Sequence, residues 1–386
     1  MGEVLNSEMR VIVIGGGVIG CLTAWRLQQL GAEPVVLERG TLGQESSWAG
    51  AGILSPINPW LYPDSFTHLV DASLALYPSL SEELASESGM SIEWHKSGLM
   101  VPLFHDDAVN HESQAVAWSK QFGWQLERLG HAQALEYEPA LCSDVRGALL
   151  WPEVAQVRNP RLLQAARKAM QNRGIEIREQ AEVVGLHEAN GVVQGVRLRG
   201  GEVVAGDAVL LAAGSWSGEL SKAMGLEIPI EPVKGQIVLL KASPGLLRHI
   251  VKHDRAYFVP RADGRILVGA SMEKVGFEPG NTEEVVQALL DAMARIAPGL
   301  KEAEIERQWM GFRPGSPDGL PYLGPVEEKP GLWVASGHYR NGVVLAPITA
   351  RVMSRWMMGR EPELDLQDFR VSRQPVDSRS IGFPEG

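Results

Sequence analysis

The residues best suited to chemistry in this 386-residue chain lie in four glycine-rich stretches. The first, Gly15-Gly16-Gly17-Val18-Ile19-Gly20, follows an apolar run and precedes a helical pattern. Gly15 permits a tight turn, Gly17 allows a pyrophosphate to approach the backbone, and Gly20 allows a helix to pack closely on a strand. Free N–H groups at the start of that helix favour bound phosphate. The stretch therefore predicts a dinucleotide-binding turn.

An acidic residue completes this signature. Glu38 ends the next apolar run, 18 residues after Gly20. Its carboxylate can accept hydrogen bonds from a ribose diol, and it would repel a 2′-phosphate, which disfavours NADP. The glycines and the acid together do not distinguish FAD from NAD.

The second stretch, residues 44–54, combines small residues with the hydroxyls of Ser46 and Ser47. Such residues can line a long ligand beyond the first helix, as FAD requires. An ordinary small-residue loop has the same composition, so this stretch alone leaves both interpretations open.

The third stretch, residues 311–324, carries Arg313 just after a strand-like run at 305–310. An arginine directed inward from a rigid strand end is suited to hold a carboxylate by two parallel hydrogen bonds. A surface arginine in a salt bridge is the alternative.

The fourth stretch, residues 337–347, follows the apolar run Leu332–Ser336. Asn341 and Gly342 predict a helix start, and Pro347 must lie in the first turn or kink the helix. The N-terminus of such a helix favours negative charge, including that of a reduced flavin. His338 is either catalytic or structural.

These stretches need a parallel sheet to position them. Arg10–Ile14, a helix ending at Gly31 and a strand at 34–38 predict an N-terminal βαβ unit, which later strands at 209–213 and Leu332–Ser336 complete. We therefore expect an α/β (α+β mixed) fold, with a discontinuous Rossmann-like domain and an inserted antiparallel-sheet domain. The expected dinucleotide domain comprises residues 1–88, 150–225 and 320–370, the substrate domain comprises 89–149 and 226–319, and 371–386 form a C-terminal tail.

Further elements follow from local patterns. Helices are predicted at 64–86, divided near Pro78, at 108–122, at 160–173 with Asn159 as its cap, and at 282–296. Asp263-Gly264 predicts a hairpin with a two-residue loop. In that register Tyr257 pairs with Ala270 and lies diagonal to Met272, so that all three face the same side.

Composition excludes several classes of protein. A net charge of −11 has the wrong sign for a nucleic-acid or anionic-membrane binder. Two cysteines, Cys21 and Cys142, form no disulfide framework or metal motif and suit a reducing cytoplasm. The longest apolar stretch, residues 11–25, is too short to span a bilayer, and no signal peptide is evident. We expect a cytoplasmic protein without a metal. The sequence leaves open whether the chain forms a homo-oligomer.

Together the four glycine-rich stretches resemble those of flavin-dependent amine oxidases of the D-amino-acid oxidase superfamily, and within it those of the glycine oxidases of thiamine biosynthesis. The resemblance extends from about residue 10 to residue 369 and is also carried by Val233-Lys234-Gly235 and by Tyr257 with Val259-Pro260-Arg261. It implies an FAD site that joins the turn glycines to Val18, Ile19, Glu38, Arg39, Ser46, Ser47, Ala51, Gly52, Ile53, Val183, Gly214, His338, Tyr339, Arg340, Asn341, Gly342, Val343 and Val344.

The resemblance also implies a substrate site. Arg313 would hold the substrate carboxylate, Tyr257 would donate a further hydrogen bond, and Arg340 and Met272 would lie beside the flavin and substrate. No residue beyond the flavin is expected to be catalytic. Monomeric sarcosine oxidases attach flavin to a late cysteine, whereas both cysteines here lie within the first 142 residues, so we expect non-covalent FAD.

The implied function is oxidative deamination of glycine, sarcosine and small D-amino acids such as D-alanine. The products would be an imine or α-keto acid and H2O2 from O2, with the glycine imine supplied to the thiamine thiazole. The alternatives are a D-amino-acid oxidase or a quinone-linked D-amino-acid dehydrogenase, and more remotely a non-catalytic dinucleotide-binding protein.

Overall fold

The computed structural model describes residues 9–56, 58–105 and 109–375. The strands are β1 (Arg10–Ile14), β2 (Glu33–Leu37), β3 (Ile53–Leu54), β4 (His95–Lys96), β5 (Leu99–Leu103), β6 (Glu127–Gly130), β7 (Gly147–Trp151), β8 (Ala155–Gln156), β9 (Glu176–Arg178), β10 (Val183–Ala189), β11 (Val192–Leu198), β12 (Val203–Ala205), β13 (Ala208–Leu211), β14 (Glu231–Lys241), β15 (Ile250–His253), β16 (Ala256–Pro260), β17 (Arg265–Gly269), β18 (Glu304–Gly315), β19 (Tyr322–Pro325) and β20 (Leu332–Ser336). The helices are α1 (Val18–Gln29), α2 (Ser46–Ala49), α3 (Asp64–Leu74), α4 (Tyr77–Ser88), α5 (Val109–Phe122), α6 (His131–Tyr137), α7 (Asn159–Asn172), α8 (Ser217–Ala223), α9 (Glu283–Ile296) and α10 (Gly342–Met357).

A six-stranded sheet contains the N-terminal βαβ unit. Its order is β19-β20-β13-β1-β2-β9, with β13 and β20 joining β1 as predicted. The strands from β20 to β9 are parallel, and β19 is an antiparallel edge strand. Because side chains alternate along a strand, Val11 and Val13 pack on the helices, whereas Ile12 and Ile14 pack toward the β10-β11-β12 sheet.

An eight-stranded sheet combines two separate parts of the chain. Its order is β18-β14-β17-β16-β15-β5-β7-β6, so three strands come from before residue 152 and five from after residue 230. One face packs on α9 through residues such as Val286 and Met293. On the other face the side chains of Trp309 and Tyr257 are half-buried. This face forms a wall of the site described below.

The hairpin loop is one residue longer than its sequence predicts. The Arg261 N–H donates to the Arg265 carbonyl at 2.7 Å, and the loop residue Gly264 has φ +86°. This is a three-residue loop with glycine in the left-handed position. The predicted pairing of Tyr257 with Ala270 is therefore wrong, because Tyr257 pairs with Gly269.

Two other local predictions also change. Asn159 is the first residue of α7 rather than its cap, and its side-chain amide donates to the Ser47 carbonyl at 2.8 Å. Arg313 lies inside β18, which continues to Gly315, rather than after a strand end. The expected domain boundary at residue 149 lies within β7, and the division into domains stays a prediction.

Two predicted segments lie partly or wholly outside the described residues. In the expected tail, Arg373 bonds to both carboxylate oxygens of Asp318 at 3.0 Å, so residues up to 375 pack against the body, while 376–386 lie outside the described residues. Ala108, predicted to begin a helix, is also outside the described residues. Among the residues described, none of the helices is long and apolar enough to cross a membrane.

Candidate active site

The glycine-rich turn connects β1 to α1 by close backbone packing. Gly15 has φ +107°, and a Cβ there would lie 2.4 Å from the Ala212 carbonyl oxygen. A Cβ on Gly20 would lie 2.0 Å from the Gly15 carbonyl oxygen. Both positions therefore require glycine, for the turn and for helix–strand packing respectively. The Val18 N–H donates to the Ser47 hydroxyl at 2.9 Å, which joins the turn to α2.

Glu38 lies at the carboxyl end of β2, beside this turn. Its carboxylate is buried and accepts hydrogen bonds from the backbone N–H groups of Gly16 and Gly40, both at 2.8 Å. These two bonds fix the orientation of the carboxylate at the cavity wall. Each oxygen can still accept a further hydrogen bond from a hydroxyl.

A cavity of about 410 Å³ extends from the turn toward the N-terminus of α10; we call it the dinucleotide cavity. Fifteen of the predicted cofactor residues line it: Gly15, Gly17, Val18, Ile19, Glu38, Arg39, Ser46, Ser47, Val183, Gly214, His338, Tyr339, Arg340, Gly342 and Val343. Sequence reasoning missed other lining residues, among them Leu37, Trp216, Leu220 and Ala223. Trp216 stacks under the guanidinium of Arg39 at 3.7 Å, a contact between distant segments that no local motif reveals.

The other predicted cofactor residues lie elsewhere. Ala51, Gly52 and Ile53 line a neighbouring cavity. Three residues line neither cavity: Gly20 packs on the turn, the Asn341 side-chain amide faces the Tyr62 hydroxyl at 3.4 Å, and the Val344 carbonyl accepts a bond from Ser73 at 2.7 Å. These three support the wall from behind.

The neighbouring cavity, about 160 Å³, holds the predicted substrate residues; we call it the substrate cavity. Arg313, Tyr257, Arg340 and Met272 all line it, together with Ala270. Arg313, Arg340 and Val343 line both cavities, so the two adjoin. The structure thus brings together residues from four distant parts of the sequence.

Two glycines make room for the two central side chains. A Cβ on Gly235 would lie 2.2 Å from Nη1 of Arg313, and a Cβ on Gly269 would lie 2.6 Å from the Tyr257 hydroxyl oxygen. Gly235 lies inside β14 and Gly269 is the last residue of β17, and glycine in a strand marks a close approach by another group. Arg313 and Tyr257 consequently lie flat over the sheet.

Hydrogen bonds hold the guanidinium of Arg313 in this position. Nη1 donates to the carbonyl oxygen of Ser271 at 3.0 Å and to that of Lys234 at 3.4 Å. Removal from water raises the pKa of Tyr257, although a hydrogen bond with Arg313 and its charge oppose the rise. The phenol therefore stays protonated at neutral pH and can donate a hydrogen bond to an anion.

His338 is buried between the dinucleotide cavity and α10. One ring nitrogen lies 3.1 Å from the Thr349 hydroxyl oxygen. Burial lowers the pKa of His338 to about 3, so the ring is neutral at physiological pH. A neutral, hydrogen-bonded ring favours the structural interpretation of this residue over a proton-transfer role.

Lys252 is one of the substrate-cavity residues that sequence reasoning missed, and Asp254 and Arg255 are others. Lys252 is the cross-strand partner of Tyr257 in the β15–β16 pair, so both side chains share a face. Burial, and then the charge of Arg340, lower the pKa of Lys252 to about 8. A strand lysine ordinarily faces water, and nothing in the local sequence marks this one as a cavity residue.

The dinucleotide cavity has the donors and acceptors that a flavin dinucleotide requires. The N-terminus of α1 presents backbone N–H groups for phosphate, and Glu38 presents a carboxylate for a ribose diol. The 16-residue helix α10 begins at Gly342 beside the junction of the two cavities and favours negative charge there. These residues therefore fit the cofactor implied by the resemblance.

Comparisons with known proteins agree with this geometry. A glycine oxidase of Pseudomonas aeruginosa is 42% identical over 92% of this chain and 96% of its own. A protein of Synechocystis named "Bifunctional protein ThiO/ThiG" is 36% identical over 96% of this chain and 54% of its own. The crystal structure of glycine oxidase from Geobacillus kaustophilus has a TM-score of 0.90 and 31% identity, covering 95% of this chain and all of that one.

A family model supplies the final comparison. The model named "FAD dependent oxidoreductase" matches residues 10–356, from β1 to the last turns of α10. That range contains both cavities and every predicted site residue. The chain therefore belongs to the FAD-dependent oxidoreductase (DAO) family, and FAD is its cofactor.

Proposed function

We propose that this enzyme, an FAD-dependent amine oxidase, oxidises glycine and other small amino-acid amines such as sarcosine and D-alanine. The product imine is released or hydrolyses to an α-keto acid and ammonia, and dioxygen takes the two electrons to give H2O2. The observation that carries the proposal is the position of Arg313 and Tyr257, which lie over the sheet in a small cavity that adjoins the dinucleotide cavity.

Arg313 and Tyr257 orient the substrate by its carboxylate. A guanidinium offers two parallel N–H donors to a carboxylate, and the protonated phenol adds a third donor. Because the carboxylate is held, Cα has one fixed position in the cavity. Such orientation contributes to the rate by making the reaction effectively unimolecular.

The charges around the cavity act on the substrate amine. The reaction needs the free amine, whose lone pair supplies electrons as the Cα–H bond breaks. Arg340 and Lys252 both line the substrate cavity and are cationic or partly so near neutral pH. Their charge disfavours an ammonium ion nearby and thus favours the neutral amine. This requires no residue to act as a general base.

The bound FAD supplies the two-electron oxidation itself. In the proposal, the Gly17 turn, the start of α1 at Val18 and the Ser47 hydroxyl would hold its phosphates, and Glu38 would hold a ribose. His338, neutral and fixed to Thr349, closes the cavity wall beneath α10.

We also propose that the glycine imine supplies the thiamine thiazole. The support is the family resemblance and the name ThiO/ThiG of the Synechocystis relative, of which this chain spans about half. The test is deletion of the gene in its own organism. A growth requirement relieved by the thiazole precursor supports the role, and unaffected growth without thiamine contradicts it.

The main experiment measures oxygen uptake and H2O2 release by the purified, FAD-loaded protein. Glycine, sarcosine, D-alanine and L-alanine are compared at equal concentrations. We expect equal amounts of oxygen consumed and peroxide formed with the first three and negligible activity with L-alanine, whose side chain would point into the cavity wall. Equal rates with both alanines would contradict the geometry.

Two other outcomes separate the alternatives. Reduction of a quinone without oxygen uptake would favour a D-amino-acid dehydrogenase. Bound FAD that no amine reduces under anaerobic conditions would favour a non-catalytic binding protein.

A further inference from the structure

A third cavity, of about 360 Å³, lies next to the substrate cavity and has no part in glycine oxidation as described above. Most of the described residues that line it are apolar, although an ion pair between Glu112 and Arg146 and the side chain of Arg295 also line it. We call it the tryptophan cavity because four indole rings line it: Trp60, Trp118, Trp124 and Trp151. Leu99, Val101 and Leu149 complete its floor. A cavity of this size and composition is typical of a site for an apolar ligand group.

The indole rings present mainly carbon to this cavity. Three of their N–H groups donate to side chains that do not line it: Trp118 to Thr67 at 3.1 Å, Trp124 to Asp71 at 2.9 Å and Trp151 to Ser119 at 2.9 Å. Those polar atoms are therefore satisfied without a ligand. Ring faces and edges of this kind pack well against another aromatic ring.

The tryptophan cavity and the substrate cavity lie over one face of the eight-stranded sheet. Lys252 pairs with Tyr257 on one side, and the pairing of Ile250 with Leu99 places Lys252 beside Val101 on the other. Val101 in turn pairs with Leu149. The same face thus continues from the Arg313 clamp, across Tyr257 and Lys252, to the floor of the tryptophan cavity.

Four residues line both cavities and form a polar collar between them: Ser55, Asn58, Lys252 and Asp254. Lys252 is held to one side of this collar, because its Nζ donates to the Asp254 carbonyl oxygen at 3.1 Å. Neighbouring strands are about 4.8 Å apart, and β5 lies three strands from β17 and four from β14, so the clamp and the apolar floor over β5 are separated by roughly 14–19 Å. A ligand that reaches both must carry a flexible arm.

We propose that the tryptophan cavity is a distal subsite for an aryl group that is joined by a flexible alkyl arm to the nitrogen of a glycine whose carboxylate Arg313 holds. The proposal rests on the proposed function, because it uses the same carboxylate clamp. It extends the substrate class from glycine and sarcosine to N-(arylalkyl)glycines. The bond that is oxidised stays the same, and only the nitrogen substituent differs.

The test is a binding series that needs no turnover. In ω-phenylalkoxyacetates an ether oxygen replaces the amine nitrogen, and the arm is varied from one to ten methylenes so that the longest arms can span the separation. Dissociation constants for the FAD-loaded protein are measured by calorimetry, with acetate as the reference. We expect binding to tighten as the arm lengthens, reaching about ten- to a hundredfold over acetate, because a fully buried apolar ring contributes that much.

A variant that fills the tryptophan cavity, together with a surface control, tests the same proposal. Ala115 is buried in α5 and lines the tryptophan cavity, so Ala115→Phe places a ring where the ligand ring would lie. Ala132→Phe adds the same ring on the exposed surface of α6 and serves as the control. We expect Ala115→Phe to abolish the gain with arm length, while acetate binding, glycine kinetics and FAD content stay within about twofold of the parent.

Three results would overturn the proposal. They are a dissociation constant that does not change with arm length, a gain that survives in Ala115→Phe, and an equal loss in Ala132→Phe. If Ala115→Phe fails to fold, Leu149→Ala enlarges the same floor and should move the best arm length upward; an unchanged optimum would count against the subsite. Failure of the proposed function is distinguishable, because then acetate would not compete with glycine or glycine would not be oxidised.

Discussion

At the scale of single residues, Arg313 is positioned by main-chain groups. Its guanidinium bonds to the carbonyl oxygens of Ser271 and Lys234, so its orientation does not depend on another flexible side chain. A charge fixed in this way is ready for an anion and needs little reorganisation when the anion binds. The carboxylate is therefore the part of the substrate whose loss should be most costly.

Replacement of Arg313 tests this directly. Arg313→Ala should lower kcat/KM for glycine by a factor of tens to thousands, since removing one partner of a buried charge pair costs about 2–5 kcal/mol. Arg313→Lys should retain only part of the wild-type kcat/KM, because an ammonium cannot form the planar pair of hydrogen bonds. Steady-state kinetics and FAD content are measured on the same preparations.

The matched control is Arg307→Ala, which removes an exposed arginine from the same strand. This variant should leave kcat/KM for glycine and FAD content unchanged. Near-normal kinetics in Arg313→Ala would mean that the residue does not bind substrate, and a parallel loss of FAD would make it a cofactor or structural residue.

His338 predicts how stability depends on pH. Its folded pKa, about 3, lies below the unfolded value near 6.5, so between these values the unfolded chain binds a proton that the folded chain does not. The free energy of unfolding should therefore fall as pH falls through this window, by up to roughly 1.4 kcal/mol per pH unit from this residue. His338→Gln, which can keep a bond to Thr349, should flatten that slope in urea unfolding measured from pH 7 to pH 4. An identical slope in both proteins would show that His338 titrates normally.

At the scale of elements, the two clamp side chains depend on glycines in the strands beneath them. Gly235 in β14 and Gly269 in β17 leave the space over which Arg313 and Tyr257 lie. Any side chain at these positions would push the clamp away from the sheet. The sheet surface therefore sets the position of the Arg313 and Tyr257 side chains, and through them the position of the substrate.

Gly235→Ala should move the guanidinium and lower kcat/KM for glycine by about ten- to a hundredfold, chiefly through KM. A displacement near 1 Å in an active site has effects of this size. Gly200→Ala is the control, because a Cβ there meets no atom within 4 Å. Kinetics and thermal unfolding are compared for both variants; unchanged kinetics in Gly235→Ala would show that the clamp tolerates movement.

At the scale of the whole molecule, the chain places the two cavities at the junction of its two main sheets. The six-stranded sheet contributes the turn and Glu38, and the eight-stranded sheet contributes Arg313 and Tyr257. Neither cysteine is suited to attach a cofactor there. Cys21 is fully buried with its pKa raised by burial, and neither Cys21 nor Cys142 lines either cavity.

FAD should therefore be bound without a covalent link. Acid precipitation should release the yellow colour into the supernatant, and FAD added back to apoprotein should raise the melting temperature, because a ligand that binds only the folded state stabilises it. Thermal scans at several FAD concentrations check the second effect. Colour retained in the protein pellet would reveal a link through another residue type.

Local sequence was enough to predict the dinucleotide half of this fold. A β-branched run, three spaced glycines and an acid at the next strand end each act through nearby backbone, so β1, the turn, α1 and the position of Glu38 follow from short-range rules. The completion of the sheet by β13 and β20 also followed, because both are short apolar runs. The division into domains and the roles of single site residues remain predictions.

The tertiary structure decided what depends on register and on distant contacts. A loop one residue longer than predicted changed the partner of Tyr257, and the extent of β18 placed Arg313 inside a strand. Lys252 became a cavity residue because β15 lies between β16 and β5, an order that no periodicity in its four residues encodes. The tryptophan cavity likewise exists only because several segments far apart in sequence meet over one sheet face, and the burial that results comes from packing rather than from local pattern.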